Sequence, residues 1–190
     1  AMNAYEQATE GVSVDYKAFG SGSGLCRIKN AAAACVSVDS LGTFEVDFAC
    51  SDSLLSSSDY STYDDLQMYP MVAGAVVVAY NLPTSVGNIP LRVDDATLAD
   101  IFDGSITQWD DAALVALNPG LNLPNTPIKV VLRSDSSGTT DVFTGALSDL
   151  DSNFNSAVGR TQSWNTASSP WSGMATRAQS IGVVSYVRAT

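Results

Sequence analysis

The stretch Val130–Leu147, VVLRSDSSGTTDVFTGAL, decides how the rest of the chain is read. An apolar run, Val130-Val131-Leu132, stops at Arg133, and a turn rich in Ser, Asp, Gly and Thr follows. A helical pattern then starts at about Thr139. Strand, tight hydroxyl-lined loop and helix N-terminus, in that order, present free backbone N–H groups to an anion. Arg133 brings fixed positive charge and a planar fork of donors suited to phosphate or carboxylate, and Asp135 is placed to hold that fork. Ser137, Thr139 and Thr140 add hydroxyls, and Gly138 lets the backbone come close. The same residues also suit an ordinary β-turn with an N-cap, so the stretch alone leaves both readings open.

Composition narrows the choice. A chain of 190 residues suits one large domain or two small lobes. With 45% hydrophobic and 15% charged residues it is expected to be globular. Its longest apolar run, Met71–Tyr80, is strand-sized and too short to span a bilayer. The start, AMNAYEQATEG, has no basic stretch leading into an apolar one, so no signal peptide is expected there. The chain then reads as intracellular or as a mature or trimmed form. A net charge of −11 argues against nucleic acid as a partner, since a phosphate backbone is bound by a basic face. A small anion would have to be held by local donors against the overall field. The sequence has no His, which removes the usual general base and the commonest transition-metal ligand. That counts against hydrolases, phosphatases included, and against zinc; no catalytic residue, metal or cofactor is expected.

Taken in order, Ala4–Ala8 resembles a helix end, and Val12–Phe19 (VSVDYKAF) alternates as a strand should. Gly20-Ser21-Gly22-Ser23-Gly24 reads as a donor-rich loop before a short helix over Leu25–Asn30, a second strand–loop–helix unit. Phe44–Ala49 alternates again and ends at Cys50-Ser51-Asp52-Ser53, which places a carboxylate at a strand's C-terminal end, where open α/β sheets hold ligands. Asp52 is equally suited to a turn or helix cap. Leu54–Asp65 reads as polar surface, and Met68–Pro83 as a long buried strand running between two lobes. Asp94-Asp95 opens a helix stopped by Gly104, and Trp109-Asp110-Asp111 opens another that ends at Asn118-Pro119-Gly120. The Asp pairs read as capping charges. Ile128–Leu132 is a strand. Phe154, Val158 and Trp164 are anchors in a polar region, and Pro170–Gly173 is a turn. Met174–Gln179 reads as a short helix and Ile181–Val187 as a closing strand.

Cys26, Cys35 and Cys50 match no zinc or CxxC spacing. The modest charge and the many Ser, Thr, Asn and Gly suggest an exported protein with one disulfide and one buried thiol. Cys26–Cys35 is the first choice, because both flank one local excursion. Three small buried thiols are the alternative.

The loop motifs, taken in order, resemble the PstS-like phosphate-binding proteins of bacterial high-affinity phosphate ABC transporters and their secreted relatives, the DING proteins. The matching stretches are YKAFGSGSG, VDFACSDSLLS, MYPMVAGAVVVAYNLP, LADIFDGSITQWDDAALVALNPGLNLP, IKVVLRSDSSGTTDVFT and IGVVSYV, from about Tyr16 to Val187. The resemblance implies an α/β fold of the type II periplasmic-binding-protein kind, with phosphate held between two lobes. Residues 1–69 would be a partial first lobe and 70–190 a second lobe that is mostly present. It implies that Ser21 donates to phosphate and that a buried Asp52 accepts from its proton. Arg133 makes the charged contact, Asp135 orients it, and Ser137, Gly138 and Thr139 bind at the helix N-terminus. It also implies a periplasmic or extracellular location and an ABC permease as partner.

Against the family pattern, the chain reads as truncated at both ends. The family's first strand with its Thr-Phe-Pro loop precedes the match, and a long returning portion follows it. A two-stranded first lobe is marginal by itself. The alternative function is therefore a non-catalytic assembly or interaction subunit that reuses the fold and is completed by strands from another chain.

Overall fold

The computed structural model describes residues 2–29, 34–35, 42–83, 86, 89–165 and 175–177. Its elements are α1 (Met2–Ala8), α2 (Gly20–Lys29), α3 (Ser57–Thr62), α4 (Asp95–Asp103), α5 (Ala112–Leu117), β1 (Val131–Arg133), α6 (Gly138–Leu150), α7 (Ser152–Ala157) and β2 (Ala175–Arg177). The turn expected at Pro170–Gly173, the strand expected at Ile181–Val187 and most of Ala31–Gly42 lie outside the described residues.

The helices after residue 90 follow from local chemistry. Asp94 caps α4 by accepting from the Thr97 amide at 2.9 Å, and Gly104 ends it in the left-handed region at φ +86°, which a glycine enters without strain. Asp111 caps α5 through the Ala113 amide at 2.9 Å. The Asp pairs are thus seen at helix starts. Asn118 closes α5 from inside: buried, it donates to the Leu114 and Arg92 carbonyls, both at 2.8 Å, and accepts from the Arg92 amide at 2.7 Å. Asp151 serves two helices, its amide closing α6 onto the Leu147 carbonyl and its carboxylate accepting from the Phe154 amide at 2.7 Å to start α7.

These helices bury one apolar cluster. Phe102 of α4 meets Phe143 of α6 edge-on with centroids 4.7 Å apart, while Trp164 stacks on Phe102 at 6.3 Å and meets Phe154 edge-on at 6.2 Å. Ala99, Leu114, Leu132, Leu147 and Phe154 complete the buried centre, with Val158 and Trp164 packed at its margin. No described residue before Leu82 belongs to it. β1 and β2 pair in parallel, Leu132 opposite Thr176, so the intervening chain with α6 forms a crossover connection.

Four expectations are corrected. Gly20–Gly24 is not a loop but the start of α2, with Ser21 and Ser23 buried and Gly22 and Gly24 allowing other segments to come close. Within the helix expected over Met174–Gln179, the described residues Ala175–Arg177 are instead a strand paired with β1, a long-range contact that local periodicity does not report. Val12–Phe19 and Phe44–Ala49 run without assigned strand structure and make no ladder with each other. Met68–Pro83 is exposed rather than buried, with Met71 at 85% and Val72 at 95%, because nothing among the described residues covers it.

Side chains hold the first part of the chain in place of a sheet. Cys26 and Cys35 are disulfide-bonded, and Cys50 is an exposed free thiol. Buried Arg27 lies 4.0 Å above the Phe44 ring and donates to the Phe44 and Gly42 carbonyls, both at 3.0 Å. Ser56 caps α3 in a reciprocal box with Asp59, which also accepts from Lys29 Nζ at 2.9 Å.

Candidate anion-binding site

The first turn of α6 meets the start of α2 and the Asp52-Ser53 turn. Gly138 makes the meeting close: a Cβ there would lie 2.4 Å from Ser21 Oγ, 2.8 Å from Asp52 Cβ and 2.8 Å from the Ser53 amide nitrogen. Gly22 is equally confined, since a Cβ on it would sit 2.0 Å from Ser136 Oγ. Its amide donates to the Ser136 carbonyl at 3.2 Å. Glycine is the residue that lets these backbones touch.

Polar groups join across that contact. Thr139 Oγ1 donates to Asp52 Oδ2 at 2.9 Å, and the Asp52 amide donates to Ser21 Oγ at 3.2 Å. Ser137 caps α6 by accepting from the Thr140 amide at 3.3 Å, while its own amide donates to the Gln162 carbonyl at 2.9 Å. Arg133, at the end of β1, donates from Nε to Asp135 Oδ1 at 2.6 Å and from Nη2 to Asp135 Oδ2, a two-point fork. Ser21, Asp52, Arg133, Ser137 and Thr139 all line one cleft of about 920 Å³, whose other wall is formed by residues 13–19 and 44–51. Gly138 lies buried against Ser21 and Asp52 rather than in that lining. Asp52 departs from expectation in being exposed, since it sits on the cleft wall and, among the described residues, only Thr139 hydrogen-bonds its carboxylate. The Ser21 and Ser137 hydroxyls each accept one bond here and retain a proton to donate. Among the described residues, no group of three potential ligands could hold a metal ion.

A second polar layer carried no motif in the sequence. Buried Asp141, one turn into α6, takes a bidentate contact from Arg160, Nε to Oδ1 at 2.9 Å and Nη2 to Oδ2 at 2.8 Å. The Arg160 hydrogen bonds come first in holding its carboxyl below the ordinary range; burial opposes them and the Ser53 hydroxyl adds to them. A carboxyl lowered on folding gives stability that is fully present above its unfolded value, near 3.8, and is lost as pH falls through the folded value. Urea midpoints are therefore expected to drop more between pH 6 and pH 3 for the native chain than for Asp141→Asn. Parallel profiles would show that the pair contributes nothing.

A family model of the PBP superfamily domain matches residues 1–189, and the chain belongs to that superfamily. Among curated relatives, the phosphate-binding protein PstS of Xylella fastidiosa (strain 9a5c) is 38% identical over 117 residues, which are 62% of this chain and 28% of the relative. Phosphate-binding protein PstS 3 of Mycobacterium leprae (strain TN) is 36% identical over 125 residues, 63% of this chain and 30% of the relative. The matched stretch thus spans less than a third of either relative. A crystal structure of a phosphate-binding protein from Stenotrophomonas maltophilia aligns with TM-score 0.41 at 30% identity, covering 66% of this chain and 33% of that one.

Proposed function

We propose that the chain binds inorganic phosphate as part of a solute-binding protein for phosphate uptake, exported and working with an ABC permease, and that it carries out no covalent chemistry. Residues 1–69 and 70–190 would belong to two lobes that face each other across the cleft. The observation that carries this reading is the meeting of Ser21, Asp52, Arg133, Ser137 and Thr139 on one cleft. The relatives named as phosphate-binding proteins support it.

The chemistry of discrimination follows from the Thr139–Asp52 hydrogen bond. Phosphate at neutral pH keeps at least one proton; sulfate keeps none. Phosphate entering that bond accepts from Thr139 and donates its own proton to Asp52, so donor and acceptor remain matched. Sulfate satisfies Thr139 and leaves two anions facing each other. Arg133 supplies the charge, and the α6 N-terminus and the Ser21 and Ser137 hydroxyls supply neutral dipoles, so a chain of net charge −11 can hold an anion.

Calorimetric titration tests this directly. Native protein is expected to bind phosphate well ahead of sulfate. Asp52→Asn is expected to narrow that preference by about 10- to 100-fold, the equivalent of about 1.5–3 kcal/mol for a charged hydrogen bond. An intact, folded chain that ignores phosphate would remove the reading, and unchanged selectivity in the variant would remove Asp52 from the site. The same samples separate a second reading, an assembly subunit completed by another chain's strand. That reading is favoured by the two extended segments along one wall of the cleft, 12–19 and 44–49, which make no ladder with each other. Light scattering that finds a monomer binding phosphate sets it aside.

A further inference from the structure

Gln162 is where the three walls of the cleft contact converge. Its Oε1 accepts from Ser136 Oγ at 2.9 Å, its Nε2 donates to Ser53 Oγ at 3.0 Å, and its carbonyl accepts from the Ser137 amide at 2.9 Å. Ser136 in turn accepts from the Gly22 amide of α2. Ser53 is 2% exposed, and its hydroxyl oxygen accepts from Gln162 Nε2. A line of hydrogen bonds therefore runs from Ser136 through the Gln162 amide to Ser53, the residue next to Asp52.

We propose that Gln162 is a positioning residue for phosphate selectivity, acting through Ser53 to hold the Asp52 carboxylate at the distance where only a protonated oxyanion is accepted. This rests on the phosphate reading above. Gln162 touches no ligand in this scheme. Without its amide, the Ser53 oxygen loses a donor at a buried site, and the Asp52-Ser53 turn loses its tie to the Ser136–Gln162 side while keeping its bonds to Ser21, Thr139 and Ser51. The carboxylate then has room to retreat from a sulfate oxygen. Selectivity falls more than affinity.

The test uses native protein, Gln162→Leu and Gln162→Glu, with inorganic phosphate and sulfate as probes and circular dichroism confirming the fold. Gln162→Leu is expected to reduce the phosphate-to-sulfate preference by about tenfold or more while phosphate affinity changes less, and to speed hydrogen exchange at the Asp52 and Ser53 amides. Gln162→Glu has the same shape but, when ionised, offers Ser53 no donor. Relative to native protein it is expected to be defective at pH 7 and to recover as pH falls and the introduced carboxyl regains its proton. A purely structural role would lower the melting temperature of both variants and leave the preference intact. If native protein binds phosphate and both variants keep the native preference, Gln162 has no positioning role and the phosphate reading stands. If native protein binds no phosphate, both fall.

Discussion

Gly138→Ala is expected to abolish most phosphate binding while leaving the helical fold standing. Two effects of opposite sign compete at this position. Gly138 is helical, and Ala in place of Gly favours a helix by up to about 1 kcal/mol. Against that, the added methyl would meet Ser21 Oγ at 2.4 Å and the Ser53 amide nitrogen at 2.8 Å, and a backbone atom cannot rotate away. Overpacking of this kind costs about 1–3 kcal/mol where neighbours can shift. The cheapest relief is for the Asp52-Ser53 turn and α2 to back away from α6, because among the described residues the apolar core lies on the α6 side. The expected result is a loss of phosphate affinity of about tenfold or more, faster exchange at the Asp52 and Ser53 amides, and an unchanged circular dichroism spectrum. Gly145→Ala is the matched control. The three atoms nearest its methyl all belong to the Arg160 side chain, at 3.3–3.5 Å, and none is backbone, so near-native behaviour is expected. Native affinity in Gly138→Ala would show that the two sides do not touch in solution.

Phe102→Ala is expected to cost about 3–5 kcal/mol in unfolding free energy. Phe102 is 1% exposed and holds together α4, α6 and Trp164, so its removal leaves a cavity walled by rings that cannot collapse inward. Urea unfolding followed by tryptophan fluorescence measures this. Met71→Ala, at a side chain 85% exposed, should stay within about 0.5 kcal/mol of native. A loss under about 1 kcal/mol for Phe102→Ala would place that ring outside the core.

What the sequence revealed was local. Asp94 and Gly104 announce α4 because a cap and a left-handed terminus are made within one turn of chain. Ser137 and the residues after it announce α6 for the same reason. Ser21, Asp52, Arg133, Ser137 and Thr139, which share one cleft, stood out in the sequence because each motif carries its own polar groups. The failures are long-range. Glycine-rich Gly20–Gly24 has poor intrinsic helicity, and its helix buries Ser21 and Ser23 in contacts supplied by residues 50–53 and 136. Ala175–Arg177 is a strand because β1 lies beside it. Met68–Pro83 is apolar, but burial depends on what covers a segment, and no description of the segment alone contains that. Gln162 sits in TQSW, a tetrapeptide with no motif; only the folded chain brings Ser53 to it.

Among the described residues the core draws on positions 82–164 alone, and this has a consequence for how the molecule comes apart. Local opening draws on the segments with the fewest buried apolar contacts, and those carry Ser21 and Asp52. Arg133, Ser137 and Thr139 belong to elements anchored in the core. The two halves of the cleft thus fail at different times: one wall dissolves while the other stays preorganised, and an anion bridging them would act as a fastener for the weaker side.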